Sequence, residues 1–246
     1  MKISREPFSP TKQRELTQLF HEFQQQYIGG EAAQTFLSAL AAARLAAQQQ
    51  YQQLLTAAQR GEPITDAVLL KLLPYTDSTR NRWRGAWIHP APAIVGELRN
   101  WYEAAGWTQP DEWPVIASAI LHFVRQAVEE APKLPAACQS FRLLPYTTGV
   151  QSGLLSPILN ALRPEQYLLF NQHVRRTLNY FTDSAFTQSL PDYPAANTAL
   201  QTLLPALSTR RAWAKASPVQ RNDHFLLFCH WLVSVKDFRF RPRRYW

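Results

Sequence analysis

The sequence predicts an all-α fold, a multi-helix globular domain of roughly ten helices, on three observations. Apolar residues recur at three- and four-residue spacing along most of the chain. Glycines and prolines fall between these periodic stretches, where helices start and stop. No alternating β-branched run of useful length occurs, which disfavours a parallel sheet with a nucleotide site.

The elements follow in order. Ser9-Pro10 reads as a cap followed by proline at the first helical position, and Leu16, Leu19, Phe20, Phe23 and Tyr27 carry the apolar stripe up to Gly29-Gly30. A long helix from about Glu31 to Gln59 follows, rich in Ala and Gln. Its AAQQQYQQLL stretch consists of good helix formers at amphipathic spacing, so it reads as helix and not as low-complexity sequence. Arg60-Gly61-Glu62-Pro63 breaks it, and Thr65-Asp66 opens a short helix that ends at Leu72-Leu73-Pro74-Tyr75-Thr76. The same LLPYT returns at residues 143–147 without repeated flanks, and in both copies proline ends an apolar helix.

A Pro-spaced extended stretch at Trp87–Pro92 precedes a helix over Ala93–Ala105 and another from about Asp111, whose inner face holds Ile116, Ile120, Phe123 and Val124. One more helix follows Pro132. Leu190-Pro191-Asp192-Tyr193-Pro194 reads as a loop, followed by a helix to about Leu207, a basic turn, and an apolar helix from Pro218 to Val235. A weak boundary near residues 60–63 divides the chain into an N-terminal helical pair (1–60), a main helical domain (61–235) and a basic aromatic tail (236–246).

Composition narrows the function. Apolar content of 46% excludes disorder, and no apolar run approaches the ~20 residues of a membrane span. The basic N-terminus lacks an apolar h-region, so a cytoplasmic location is expected. Cys138 and Cys229 lie in apolar helical patterns as free thiols, and the six histidines form no metal-ligand spacing, so no cofactor is expected.

The net charge of +8, with a pI near 9.7, favours an anionic partner, nucleic acid first. Arg80, Arg82 and Arg84 alternate with Asn81 and Trp83; the tail KDFRFRPRRYW carries Arg239, Arg241, Arg243 and Arg244 among aromatics. Such interleaving combines charge with stacking, as nucleic-acid surfaces do.

Residues Gly149 to Arg176, GVQSGLLSPILNALRPEQYLLFNQHVRR, hold a small-residue turn, a helix, an apolar run and a second helix start. Gly149, Gln151, Ser152 and Gly153 suit a hairpin whose N–H groups meet a phosphate, and Arg175 and Arg176 stand in the first turn of the next helix, where the dipole disfavours cations. The arginines therefore point to an anion. Asn171 suits a cap for the segment beginning at Gln172.

This stretch resembles the helix-hairpin-helix core of DNA glycosylases, and the resemblance implies a helix-hairpin-helix (glycosylase-like) core. In that superfamily an Asp opens the second helix and lyase-type members carry a nucleophilic Lys; here Asn171 and Gly153 occupy those positions. A neutral amide cannot stabilise the positive charge that develops on the sugar. The resemblance thus implies the scaffold without the chemistry.

A longer resemblance runs through Leu72–Glu130, Leu143–Phe181 and His224–Trp246, which are similar to the helical N-terminal region of McrB-related AAA+ restriction ATPases. It implies a non-catalytic DNA-binding or DNA-sensing module of a restriction or defence system, with an AAA+ ATPase or nuclease subunit as a further partner. No P-loop motif occurs in the chain, so nucleotide hydrolysis is not carried over. Two other readings stand beside it: a protein-interaction adaptor docking a motor or nuclease through its aromatic tail, and an active glycosylase or lyase.

Overall fold

Glycine and proline set the helix boundaries in the computed structural model, which describes residues 9–72, 113–129, 133–144, 147, 150–207 and 211–240. Helix α1 (Pro10–Gln26) starts on Pro10, as expected, although the Ser9 side chain makes no capping bond. A turn closed by Gly30 N–H to the Tyr27 carbonyl leads into α2 (Glu31–Gln59). The end of α2 needs a glycine. Gly61 adopts φ +73°, and the Gly61 and Glu62 N–H groups donate to the Ala58 and Ala57 carbonyls, so the orphan carbonyls of the last turn are satisfied.

After α3 (Thr65–Ala67) and a π turn at Val68–Leu72, the described chain resumes with α4 (Trp113–Glu129) and α5 (Leu134–Leu143). Helices α6 (Ser152–Leu162), α7 (Gln172–Thr182) and α8 (Tyr193–Leu203) follow. The last are α9 (Arg211–Lys215) and α10 (Pro218–His230). Among the described residues every regular element is helical, and no helix is long and apolar enough to cross a membrane.

Two expectations are corrected. Leu190–Asp192 is a 3-10 turn that runs straight into α8, because Pro191 and Pro194 each occupy a first turn, where a missing N–H costs nothing. The final helix stops at His230 and widens into a π turn over Trp231–Val235. Its start is held by a capping box between Ser217 and Gln220.

Helix α6 lies at the centre. Every residue from Leu155 to Leu162 is buried, which a helix tolerates only if it is packed on all sides. Helices α2 and α4 pack against it, α5 packs on α4, and α7 is flanked by α1, α8 and α10. The polar residues of α6 are all used. Ser156 Oγ accepts the Phe170 N–H at 2.8 Å, while Asn160 donates to the Tyr167 carbonyl and accepts from Arg44. At the other end of the core, Phe20, Phe23, Trp213, Phe228 and Trp231 form an aromatic cluster with ring centroids 4.8 to 6.1 Å apart. Cys138 and Cys229 are free and fully buried, and burial pushes both thiols up, away from reactivity.

Candidate nucleic-acid interface

Helix α7 is positioned by its cap. Asn171 Oδ1 accepts the Val174 N–H at 2.9 Å and so closes the helix end. The first turn then divides by periodicity. His173 and Val174 point inward, Arg175 is half-buried, and Gln172 and Arg176 face solvent. Arg175 Nε finds no hydrogen-bond partner among the described residues.

One turn further along the same face, Tyr180 anchors the returning chain end. Its ring meets Phe238 and Phe240 edge-on, each at 5.6 Å, and Phe238 also stacks on Phe181 at 6.1 Å. The Arg176 guanidinium lies 5.0 Å from the centroid of the Phe240 ring, a cation–π contact. Arg239, between the two phenylalanines, is exposed. The structure thus sets one of the sequence-nominated arginines, Arg176, on an aromatic ledge, and another, Arg239, in the segment whose phenylalanines build that ledge. Neither has a carboxylate partner among the described residues.

Two lysines nearby are occupied. Lys12 donates to the Tyr180 carbonyl at 2.6 Å, pairs with Asp183 and covers the Tyr180 ring; Lys236 pairs with Glu22. Charge that has a partner offers little to a ligand. Arg175, Arg176 and Arg239 are therefore the cations of this region without a carboxylate partner among the described residues. The spacing of Arg176 and Tyr180, four residues apart on one helix face, was the available signal for the platform.

The hairpin residues are placed differently. Gln151 Oε1 accepts the Leu190 N–H at 3.0 Å, and the Ser152 N–H and hydroxyl both donate to the Gln188 carbonyl, at 3.2 and 2.7 Å. Ser152 is fully buried. These two nominated phosphate ligands are engaged by the chain's own segment at 188–190. Gly153 differs, being exposed, with open space where a Cβ would stand. Arg80, Arg82, Arg84, Gly149, Arg241, Arg243 and Arg244 lie outside the described residues.

Beneath the first turn of α7, the rings of His173 and His230 lie nearly parallel with centroids 6.1 Å apart. Burial, reinforced by His230 and Arg176, pushes the His173 imidazole down to about 4, and burial lowers His230 as well. Both are neutral at pH 7. They support the ledge without adding charge to it. The buried pair Arg44 and Asp223, which sequence reasoning passed over, ties α2 to α10 behind the same region.

Arginines over aromatic rings can neutralise phosphates and offer faces for stacking; around the ledge Asn171 is spent as a cap, Asp183 pairs with Lys12, Glu15 accepts the Tyr180 hydroxyl at 3.2 Å, and Asp237 is exposed. The chain matches no protein-family profile, no curated protein and no solved structure.

Proposed function

We propose that the chain is a non-catalytic DNA-binding or DNA-sensing module that grips the phosphate backbone. The observation that carries this reading is the ledge itself: Arg176 over Phe240, Arg239 exposed beside it, and no internal carboxylate claiming either among the described residues. The net charge of +8 supports it by drawing the chain toward a polyanion. Arg80, Arg82, Arg84, Arg241, Arg243 and Arg244 would extend the same contact.

The finer readings belong to the same proposal. A helix-hairpin-helix would comprise α5, the turn through Thr147 and Val150, and α6, with Gly153 offering the exposed backbone. The resemblance to McrB-related ATPases adds a restriction-type setting and an ATPase or nuclease partner. An adaptor working through the tail would need Phe238 and Phe240 to reach outward, whereas both rings are spent on Tyr180. That favours the DNA reading over the adaptor.

The test is an anisotropy titration of labelled single- and double-stranded DNA across a salt series. The parent should bind with steep salt dependence, and an Arg176→Ala/Arg239→Ala variant should flatten the duplex slope by up to about 2, roughly one for each phosphate that is no longer neutralised. Absence of binding at low salt, or an unchanged slope in the variant, rejects the reading.

A further inference from the structure

A guanidinium is flat, and its two kinds of surface bind different things. Its N–H groups lie in the plane and point outward from the edge, where a phosphate accepts them. Its faces carry no donor and stack on rings and bases. How an arginine is held therefore decides what it can take.

Two of the three rings of the ledge have a face covered from within the protein. Phe238 lies nearly parallel to Phe181, at 24° and 6.1 Å, and Lys12 Nζ stands over the Tyr180 ring, 4.8 Å from its centroid. Phe240 differs. Tyr180 and Phe238 pack against the hydrophobic core, whereas Phe240 is half-buried outside it and meets those two rings at 76° and 80°. Neither neighbour stacks parallel on it. The group over its face is the Arg176 guanidinium, 5.0 Å from the centroid.

Arg176 is exposed and has no carboxylate partner among the described residues. With Phe240 backing one face, its other face and its N–H edge are what it offers to a ligand. A duplex can use only the edge. Its phosphates line the outside, but the faces of its bases cover one another in the stack, and the grooves show base edges alone. An unpaired strand brings a phosphate for the edge and a base for the face.

We propose that the Arg176–Phe240 pair selects an unpaired strand over a duplex: the outer face of the guanidinium stacks on one base, its N–H edge meets a phosphate, and Phe240 holds the plane in place. The inference rests on the DNA-binding reading above and names the form of nucleic acid that this site takes. Arg239, exposed and next to Phe240 in the chain, adds charge toward either form and does not select between them. DNA and RNA strands share this chemistry.

Anisotropy titrations of the full chain with short labelled oligomers of equal length, at one salt concentration, test it. The oligomers are oligo-dT, oligo-rU, a DNA duplex, and an abasic strand that has the phosphates without the bases. Oligo-dT should bind about tenfold tighter than the abasic strand, as one stacked base gives, and tighter than the duplex. Arg176→Lys keeps the charge and loses the plane, so it should weaken oligo-dT by about tenfold and the duplex by only about twofold. Phe240→Leu keeps an apolar side chain outside the core, so it should show the same selective loss with an unchanged melting temperature. Equal affinity for oligo-dT and the abasic strand, a duplex bound as tightly as oligo-dT, or equal losses on both forms in Arg176→Lys each overturns the proposal. In those cases salt-dependent duplex binding leaves the phosphate-backbone reading standing, whereas no binding of any oligomer at low salt removes both. The tighter of oligo-dT and oligo-rU identifies the source of the strand, and equal affinity means that either is taken.

Discussion

Arg44 of α2 and Asp223 of α10 face each other as a bidentate pair, with guanidinium-to-carboxylate distances of 2.8 and 2.5 Å and side-chain exposures of only 6% and 15%. Asn160 of α6 accepts a third bond from the same guanidinium at 3.1 Å, so three helices meet at one charge. A buried pair of this geometry adds little net stability over an apolar replacement, but losing one partner strands the other. Arg44→Ala is expected to cost about 3–5 kcal/mol in urea denaturation, whereas Arg44→Met with Asp223→Leu should recover most of that loss. Equal losses in the single and double variants would mean that the packing, and not the charge, matters.

Acid should loosen the α7–α10 contact before general acid denaturation. The folded His173 pKa of about 4 lies below the ordinary 6.5, so the unfolded chain binds the extra proton between those values. Its contribution is therefore fully present above pH 6.5 and is lost as pH falls toward 4, for a total of order 3 kcal/mol. Urea midpoints measured from pH 7.5 to 4.5 should fall more steeply for the parent than for His173→Gln. Parallel curves would show that His173 does not titrate with unfolding.

Asn171 caps α7 through its side chain. Asn171→Ala should destabilise by about 1 kcal/mol, and Asn171→Asp, an equally good cap, should leave stability within a few tenths of the parent. Thermal melts at pH 7 decide between this and a residue kept for other reasons, in which case alanine would be neutral.

Gly153 separates folding from binding. A methyl group there meets nothing within 4 Å, and the helix gains from alanine, so Gly153→Ala should be neutral or stabilising by up to about 1 kcal/mol. If the exposed backbone at this point touches a phosphate, the same methyl group should weaken DNA binding in the anisotropy assay. An unchanged affinity would remove Gly153 from the contact.

The helical skeleton was largely legible in the sequence because its signals are local. The Gly30 and Gly61 breaks bracket α2 at Glu31–Gln59, as the pattern predicts, and Asn171 caps α7 as its position suggests. Pro191 and Pro194 misled, since proline reads as loop when it can equally open a turn of helix. The site was less legible. Arg44 sits in an Ala/Gln-rich helix, and only its distant partners, Asp223 and Asn160, show that it is buried. Ser152 and Gln151 looked free to bind phosphate because the segment at 188–190 that engages them lies far along the chain. Arg176 and Phe240 could be named individually, but their meeting depends on a chain reversal that no local pattern encodes.

That reversal also sets an order of events during synthesis. Lys236 reaches back 214 residues to Glu22, Asp223 reaches 179 residues to Arg44, and Phe228 closes the cluster around Phe20 and Phe23. Contacts of such sequence separation form late and slow the search for the native state. Until the ribosome has released α10, the first helix lacks the Phe228 and Trp231 rings that close over Phe20 and Phe23. Emerging copies should therefore lean on chaperones, and copies that stop short of α10 should aggregate or be degraded while the full chain persists.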